Sequence, residues 1–436
     1  MVFSPQKLLH KLQTLPVPEQ YWVAFSGGMD STTLLHGLSQ IRAQLPAPLQ
    51  AVHINHGLQD KALEWEKFCR ETCVRLDIPL TSLQLNLRPA SGESLEAQAR
   101  DARYAAIAAH MNAGDMLLTA HHGDDQVETL LLQLLRGAGV SGLASMPLMR
   151  HWQAGWLVRP LLEFSHEELQ DWAQQEHLQW QDDPSNDHLG IRRNYLRHKV
   201  IPLLKNQWPG LIKTTSRSAR HCAEAAQLMK EVGMADLVLM YDAGRPWQLL
   251  ISGLEVLSPQ RKKNLLRHWV RQQGLPVPGH QIIERVLTEV VGARQAGSPL
   301  LSWENGEIRR FRNTLYLMPP LPPAPADGLR LQWDCSKPLD LPQGLGRLSV
   351  VDKMQWLADG VEVVFRTEGL ACRPDQRKNT RSFKRLCQDL AIPPWLRPRL
   401  PLVYSADGLV AVADYCLCQP ELGKNPFVWE RPEWLQ

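Results

Sequence analysis

Six consecutive residues, Ser26-Gly27-Gly28-Met29-Asp30-Ser31, place glycines, hydroxyls and an acid between an apolar run and a helical pattern. That is the chemistry of a phosphate site. Glycines let backbone N–H groups close around an anion, a helix N-terminus adds a favourable dipole, and two Ser hydroxyls can donate. Asp30 could hold a Mg²⁺ bridging phosphate oxygens. The plain alternative is a tight strand–helix turn with an Asp or Ser cap. The loop has no Lys, and no G-x-x-x-x-G-K-[ST] run occurs in the chain, so it is not a Walker A loop. Further on, His121 to Glu128 packs two His, two Asp and one Glu at a strand-to-helix junction. Asp125 and Glu128 are three apart and share a helix face, where two carboxylates could bind an ammonium group or a metal. The plain alternative is capping, with Asp124 or Asp125 as N-cap and Glu128 completing a capping box. A metal phosphohydrolase site is a rival reading of His-His-x-Asp-Asp, but it leaves the glycine loop unexplained.

Other residues surround these two clusters. His53, Asn55 and His56 close an apolar strand near the phosphate loop, as nucleotide contacts or as strand-end groups satisfied by backbone. Glu96, Arg100 and Arg103 lie at spacings of four and three on one helix. They make either an ion-paired solvated face or a guanidinium site for a carboxylate. From Ile191 to Arg220 there are eight Lys/Arg and no acid, and from Arg366 to Arg399 nine basic residues against three acids. A chain of net charge +3 thus concentrates positive charge in two stretches, the footprint of phosphate-backbone binding. One such stretch alone would be read as a solvated face. Trp395, between prolines, could stack on RNA or belong to a core. Cys69 and Cys73 are four apart on a helical pattern, no C-x-x-C occurs, and Cys416-x-Cys418 lacks a clear metal set, so all eight cysteines read as core residues.

The elements that must position these groups are short strands alternating with helices. Strands are expected at Tyr21–Phe25, Gln50–Ile54, Leu80–Leu85 and Met116–Ala120, with helices at Ser31–Ile41, Leu63–Leu76, Ser94–Asn112 and Asp125–Leu135. This alternation predicts a parallel α/β sheet, with ligands at the carboxyl ends of its strands. Later, Arg217–Val238 reads as helix, Ser258-Pro259 as the cap of a helix to Gln272, His280–Val291 as a further helix, and Asn305-Gly306 as a hairpin turn. Five prolines among residues 319–325 read as a semi-rigid linker. The expected domains are 1–216, an α/β parallel-sheet domain; 217–318, mostly helical; a linker at 319–327; and 328–436, a small α+β domain. At 436 residues, 44% hydrophobic and 21% charged, the chain is globular rather than disordered. It has no apolar run near membrane-spanning length and no secretory leader, so a cytoplasmic setting without a membrane partner is expected.

Together the motifs carry a resemblance. SGGMDS resembles the PP-loop of the ATP-pyrophosphatases, which split ATP into AMP and pyrophosphate while adenylating a substrate. With Val52 to Leu58, Thr119 to Thr129, Arg136-Gly137-Ala138-Gly139, Asp183 to Asn186 and Arg192 to Arg197, the first ~215 residues are similar to tRNA(Ile)-lysidine synthetases. The similarity continues more weakly at Ile392 to Pro401. It implies a ligase that activates the wobble cytidine of a tRNA(Ile) with a CAU anticodon by adenylating its C2 oxygen. L-lysine then attacks C2, leaving lysidine, AMP and pyrophosphate. It also implies ATP and Mg²⁺ as cofactors, and tRNA(Ile), L-lysine and ATP as partners. Site roles follow by resemblance. Ser26, Gly27, Gly28, Met29, Asp30 and Ser31 hold the phosphates, with Asp30 at the metal, and His53 and Asn55 lie beside the nucleotide. Asp125 and Glu128, with Asp30, are the catalytic set, and the pair faces the lysine amine or a metal. Arg100 or Arg103 takes the lysine carboxylate. Arg193, Asn194, Arg197, Arg377, Lys378, Arg381, Lys384 and Arg385 meet tRNA. The stretch Arg366 to Arg373 departs from the family's more glycine-rich pattern, which affects the expected tRNA contacts. The rival readings are another PP-loop enzyme, such as a thiolase or ammonia-using synthetase, and a non-catalytic RNA-binding protein.

Overall fold

The structure is a computed structural model. It describes residues 2–55, 62–85, 95–182, 190–240, 244–294, 297–351, 357, 360–365, 371–373, 381–419, 422 and 424–435, side chains excepted at 62, 95–100, 371 and 434. The chain divides into two compact units, Met1–Leu228 and Met229–Gln436. Among the described residues no helix is long and apolar enough to cross a membrane.

The first unit runs α1 (Pro5–Gln13), β1 (Tyr21–Ala24), α2 (Met29–Gln40), β2 (Leu49–Asn55), α3 (Ala62–Arg75), β3 (Leu80–Gln84), α4 (Leu95–Ala108), β4 (Met116–Leu118) and α5 (Gly123–Leu135). It continues with α6 (Val140–Leu143), β5 (Met149–Trp152), β6 (Gly155–Val158), α7 (His166–Gln175), α8 (Arg192–Tyr195), a π turn at Leu196–Val200, α9 (Ile201–Gln207) and most of α10 (Leu211–Val238). The sheet order is β3-β2-β1-β4-β6-β5, parallel except for β5. The inner strands are apolar throughout because both faces are covered. Tyr21 and Val23 of β1 pack with Leu34, Leu35 and Leu118 on one face, while Trp22 packs with Val52, Leu117 and Leu157 on the other. The four expected strands and four expected helices are present. The β5–β6 ribbon was not anticipated, because β5 (MRHW) is a half-exposed edge with no apolar alternation. Strand order reverses direction between β1 and β4, and that switch point is where an open α/β sheet leaves a crevice.

The second unit opens with β7 (Gln248–Leu250), α11 (Ile251–Glu255), α12 (Pro259–Gln272), α13 (His280–Arg285) continued by a π turn to Val291, then β8 (Leu300–Trp303), β9 (Gly306–Phe311) and β10 (Thr314–Met318). Ser258 caps α12 with Pro259 in its first turn, as expected. The β8–β9 hairpin is present one residue off the expected turn: Glu304-Asn305 form its loop, and Gly306 pairs with Trp303 as the first residue of β9. The helices share a core (Leu265, Leu266, Trp269, Ile283, Val286) with a four-stranded antiparallel sheet, β7-β10-β9-β8. The rest is rich in strands: β11 (Arg330–Trp333), β12 (Leu339–Asp340), β13 (Arg347–Val350), β14 (Val361–Val364), β15 (Ala371–Cys372), β16 (Arg381–Ser382), α14 (Phe383–Asp389), β17 (Leu402–Ser405), β18 (Gly408–Val412), β19 (Cys416–Leu417) and β20 (Phe427–Glu430). These form sheets β11-β14-β17-β18-β19 and β12-β13-β20 and the ribbon β15-β16. Trp395 is core rather than an exposed stacking platform. It is buried edge-on to Tyr316 and Phe311, with the Arg309 guanidinium 5.4 Å over its ring. Cys372 and Cys418 are core residues, as read, and are in addition joined as a disulfide, because folding brings β15 beside the end of β19, whereas Cys222 and Cys335 are only part-buried.

Candidate active site

The loop after β1 is built to present N–H groups. Gly27 adopts φ +86°, where an L side chain is strained, and a Cβ there would stand 3.0 Å from Cys69 Sγ. Gly28 is the N-cap of α2 and supplies no side-chain cap, so the first-turn N–H groups of α2 keep the unsatisfied donors of a helix start. Ser26 and Ser31 hydroxyls are 3.1 Å apart, and Ser31 Oγ donates to Gly28 O (3.0 Å). Donors, dipole and hydroxyls thus converge on one anion position. Asp30, in the first turn of α2, has a buried Oδ1 that accepts no hydrogen bond among the described residues. An orphaned carboxylate oxygen beside a phosphate pocket fits a divalent cation.

Across the switch point, β4 delivers His121, His122 and α5. Gly123 lets α5 begin against the chain of Phe164: its N–H donates to Phe164 O at 2.7 Å, and a Cβ would meet that oxygen at 2.9 Å. The helix cap differs from the sequence expectation. His122 is the N-cap, Asp125 Oδ2 accepts its backbone N–H at 3.0 Å, and Glu128 has no part in capping. The His122 ring is buried among three carboxylates. Nε2 is 3.6 Å from Asp30 and 3.5 Å from Asp125, and Nδ1 is 3.6 Å from Asp124. Burial alone would strip its proton, but Asp125, Asp124 and Asp30 outweigh burial and push its pKa up to about 10. The carboxylates at both ring nitrogens favour the charged form and fix the ring's orientation, with Nδ1 also 3.3 Å from the Asp124 backbone N at the helix cap. Burial raises the Asp124 and Asp125 carboxyls, but His122⁺, with Lys205 at Asp124 and Arg193 at Asp125, holds both well below the usual carboxylate range.

This arrangement has a pH signature. Unfolded, the ring titrates near ~6.5; folded, its pKa is about 10. Its stabilising charge is complete below the unfolded value and is lost as pH rises through the folded one. Stability falls across that window by on the order of 1 kcal/mol per pH unit. His122→Gln is expected to flatten this slope in melting curves of the full chain from about pH 7 to about pH 9. An unchanged slope would show that the ring is not charged.

Asp125 and Glu128 share a face, as expected, but their oxygens are already engaged. Arg193 Nε reaches Glu128 Oε2 (2.5 Å) and Arg193 Nη2 reaches Asp125 Oδ1 (2.8 Å). Arg197 repeats the pattern, with Nε to Glu128 Oε1 (2.5 Å) and Nη2 to Asp125 Oδ1 (2.9 Å). The spacing of four puts both guanidiniums on one side of the α8 helical segment. The basic run therefore splits by direction. Arg193 and Arg197 turn inward, Asn194 is buried, and Arg192, Lys199, Lys213, Arg217 and Arg220 are exposed.

The remaining expected residues fall as follows. His53 is buried with Nδ1 2.9 Å from Phe25 O, directly before the phosphate loop, and burial lowers its pKa, so it donates to that carbonyl as a neutral ring. Asn55 donates to Glu66 Oε2 (2.9 Å), and Ser82 donates to the other Glu66 oxygen (2.8 Å). Arg103 is exposed on α4, and its charge is felt at His53. His56, Arg377, Lys378 and the side chains of Glu96 and Arg100 lie outside the described residues. In the second unit, Arg381 on β16 and the exposed Lys384 and Arg385 on α14 are neighbours in sequence. Sequence reasoning assigned no role to His166 or Glu66, and counted Lys205 only within the basic run read as a phosphate-backbone footprint. His166 donates its backbone N–H to Asp124 (2.7 Å) and sets Nε2 4.0 Å from Asp30, and Lys205 is ion-paired to Asp124. His166 and Lys205 sit in ordinary helical patterns with no local signal, and only the fold brings them to the cluster. Cys69 and Cys73 are fully buried, and burial raises both thiols, Cys73 to about 12, so neither is poised as a nucleophile.

Three family models match the chain: a PP-loop domain over residues 4–204, a TilS substrate binding domain over 249–316 and a TilS substrate C-terminal domain over 361–427. A tRNA(Ile)-lysidine synthase of Coxiella burnetii (strain RSA 493 / Nine Mile phase I) is 41% identical, with 96% of this chain and 94% of that protein covered. The chain belongs to the tRNA(Ile)-lysidine synthase family. The tRNA(Ile)-lysidine synthases of Alkalilimnicola ehrlichii (40% identical, 94% of this chain, 93% of the relative) and Vibrio parahaemolyticus (35%, 98% and 99%) also match along nearly their whole length. Family membership and the PP-loop domain support the ligase reading and ATP use drawn from the motifs. The glycine loop and the His122 cluster both lie inside the PP-loop match.

Proposed function

We propose that this chain joins L-lysine to C2 of the wobble cytidine of a tRNA(Ile) carrying a CAU anticodon, through a cytidine adenylated on its C2 oxygen. One observation carries the reading. An anion pocket at the end of β1 and an acid–imidazolium cluster at the end of β4 open at adjacent strands, so a nucleotide and an amine can meet there. Ser26 to Ser31 would bind the triphosphate, with Asp30 holding Mg²⁺. When bound, that cation offsets phosphate charge. The C2 oxygen attacks the α-phosphorus of ATP and pyrophosphate leaves, which turns a poor leaving group into AMP. The lysine ammonium then gives a proton to solvent, the freed amine adds at C2, and AMP departs.

Asp125 and Glu128 would orient the lysine ammonium in exchange with Arg193 and Arg197. Asp125 is held ionised and is thus a weak proton acceptor; its work is attraction and placement rather than proton removal. Arg103 or Arg100 would take the lysine carboxylate, and His53 and Asn55 would flank the nucleotide. The exposed members of the first basic run and Arg377, Lys378, Arg381, Lys384 and Arg385 would meet the tRNA backbone. Such a substrate places the protein in the cytoplasm. The buried, high-pKa Cys69 and Cys73 oppose a thiolase reading.

The test is pyrophosphate release from ATP with L-lysine and unmodified tRNA of CAU anticodon, together with mass analysis of the tRNA. Release that requires tRNA, with transfer of one lysine to it, is the expected result. Turnover with no lysine in the product, or a chain that binds tRNA and releases no pyrophosphate, would sink the reading.

A further inference from the structure

The second unit gathers three sulfurs that the reaction above does not use. Cys416 opens β19 and Cys418 follows its last residue, Leu417. Cys372 arrives from the separate ribbon β15–β16. All three residues are buried, at 2%, 8% and 6% exposure for Cys372, Cys416 and Cys418, and their three sulfurs lie within 4.8 Å of one another. A Cys372–Cys418 disulfide joins two of these sulfurs, and Cys416 Sγ lies beside them. Cys69, Cys73, Cys222, Cys335 and Cys387 remain thiols, the pattern of a protein kept reduced, in which a disulfide opens. Opening it by a phosphine consumes one water: the phosphine gives two electrons and leaves as its oxide, and the two cysteines become thiols. Three thiolates around a zinc-sized ion at about 2.3 Å stand about 3.8 Å apart, a spacing the three sulfurs can meet with little movement.

A second observation points the same way. Arg381 faces Cys372 across the β15–β16 ladder, so the two side chains share a face of the ribbon. Its Nε is buried and donates no hydrogen bond among the described residues, with the Asp389 carboxylate 3.9 Å away as an ion pair. A thiolate on the same ribbon face would add an acceptor for that donor, as outer groups do around metal–thiolate sites.

We propose that Cys372, Cys416 and Cys418, when reduced, bind one thiophilic divalent cation of the zinc type, pinning the basic β15–β16 ribbon to the β19 edge of the five-stranded sheet. Binding releases the three thiol protons to solvent. Cysteine softness selects zinc over magnesium or calcium, so this site is independent of any Mg²⁺ at Asp30.

The full chain, reduced with a phosphine and freed of metal, is titrated with Co²⁺ as the probe. The expected result is one equivalent bound with thiolate-to-cobalt charge-transfer absorption, displaced by Zn²⁺. Cys416→Ser should weaken binding at least about tenfold, since it removes one of three ligands, while Cys222→Ser should leave it unchanged. Because Cys416→Ser could fail to fold, intact-mass measurement of the reduced native chain with Zn²⁺ is the second readout, and one added zinc is expected. No charge-transfer band, an unchanged band in folded Cys416→Ser, no zinc adduct, or a Cys372–Cys418 bond that resists the phosphine would each overturn the proposal.

Discussion

Glu128→Ala is expected to loosen α5 by about 2–4 kcal/mol, because it leaves two guanidiniums facing a buried pocket with half their partners gone. Glu128 is fully buried and accepts Nε–H from both Arg193 and Arg197. The arginine side chains keep 29% and 35% exposure, and the water they retain holds the cost toward the lower end. Amide exchange at Val127 to Leu131 reads the opening free energy of that helix directly, without assuming that a two-unit chain unfolds in one step. Adding Arg193→Met to Glu128→Ala should return part of the loss, because it removes one of the stranded charges. A change below about 1 kcal/mol would mean that water already satisfies the guanidiniums. Lysine-dependent turnover should be lost in both variants, since Glu128 is half of the ammonium site in the proposed reaction.

The largest effect on chemistry is expected at Asp30. Asp30→Asn keeps the shape of the side chain but removes the charge from its buried oxygen and from one side of His122. Pyrophosphate release should fall at least ~100-fold, the scale of a lost charge contact to a reacting phosphate. Retention of tRNA on a filter should stay within about twofold, because phosphate-backbone contacts elsewhere supply that affinity. Equal loss of both would place Asp30 in tRNA binding or folding, and undiminished release would remove it from the phosphate site. A comparison with His122→Gln separates the two roles of Asp30. Loss shared by both variants reports the ion cluster, and loss specific to Asp30→Asn reports the metal and phosphate contact.

The two arginines show how a basic run can mislead. Eight positive residues without an acid read as one surface, yet Arg193 and Arg197 point at Asp125 and Glu128, more than sixty residues away in sequence. Linear charge counting has no term for direction. Capping misled in the same way: Asp125 and Glu128 at a helix start suggest a box of their own, whereas His122 takes the N-cap and leaves Glu128 for the arginines.

The chemistry written in contiguous residues was legible without the fold. A glycine-rich turn between an apolar strand and a helix needs only local backbone freedom to become an anion site. The alternation that places it at a strand end is equally local, because strands and helices announce themselves by period. Tertiary structure alone decided what the ionisable groups do. His122 became a cation because Asp30, Asp124 and Asp125 converge on it from two strand ends, and His166 and Lys205 joined them from helices with unremarkable patterns. Cys372 likewise met Cys416 and Cys418 only when a short ribbon packed on a sheet edge. Charge state and ligand sets depend on distances of a few ångströms through a low-dielectric interior, and such distances between remote segments are set by packing, which one-dimensional spacing does not encode.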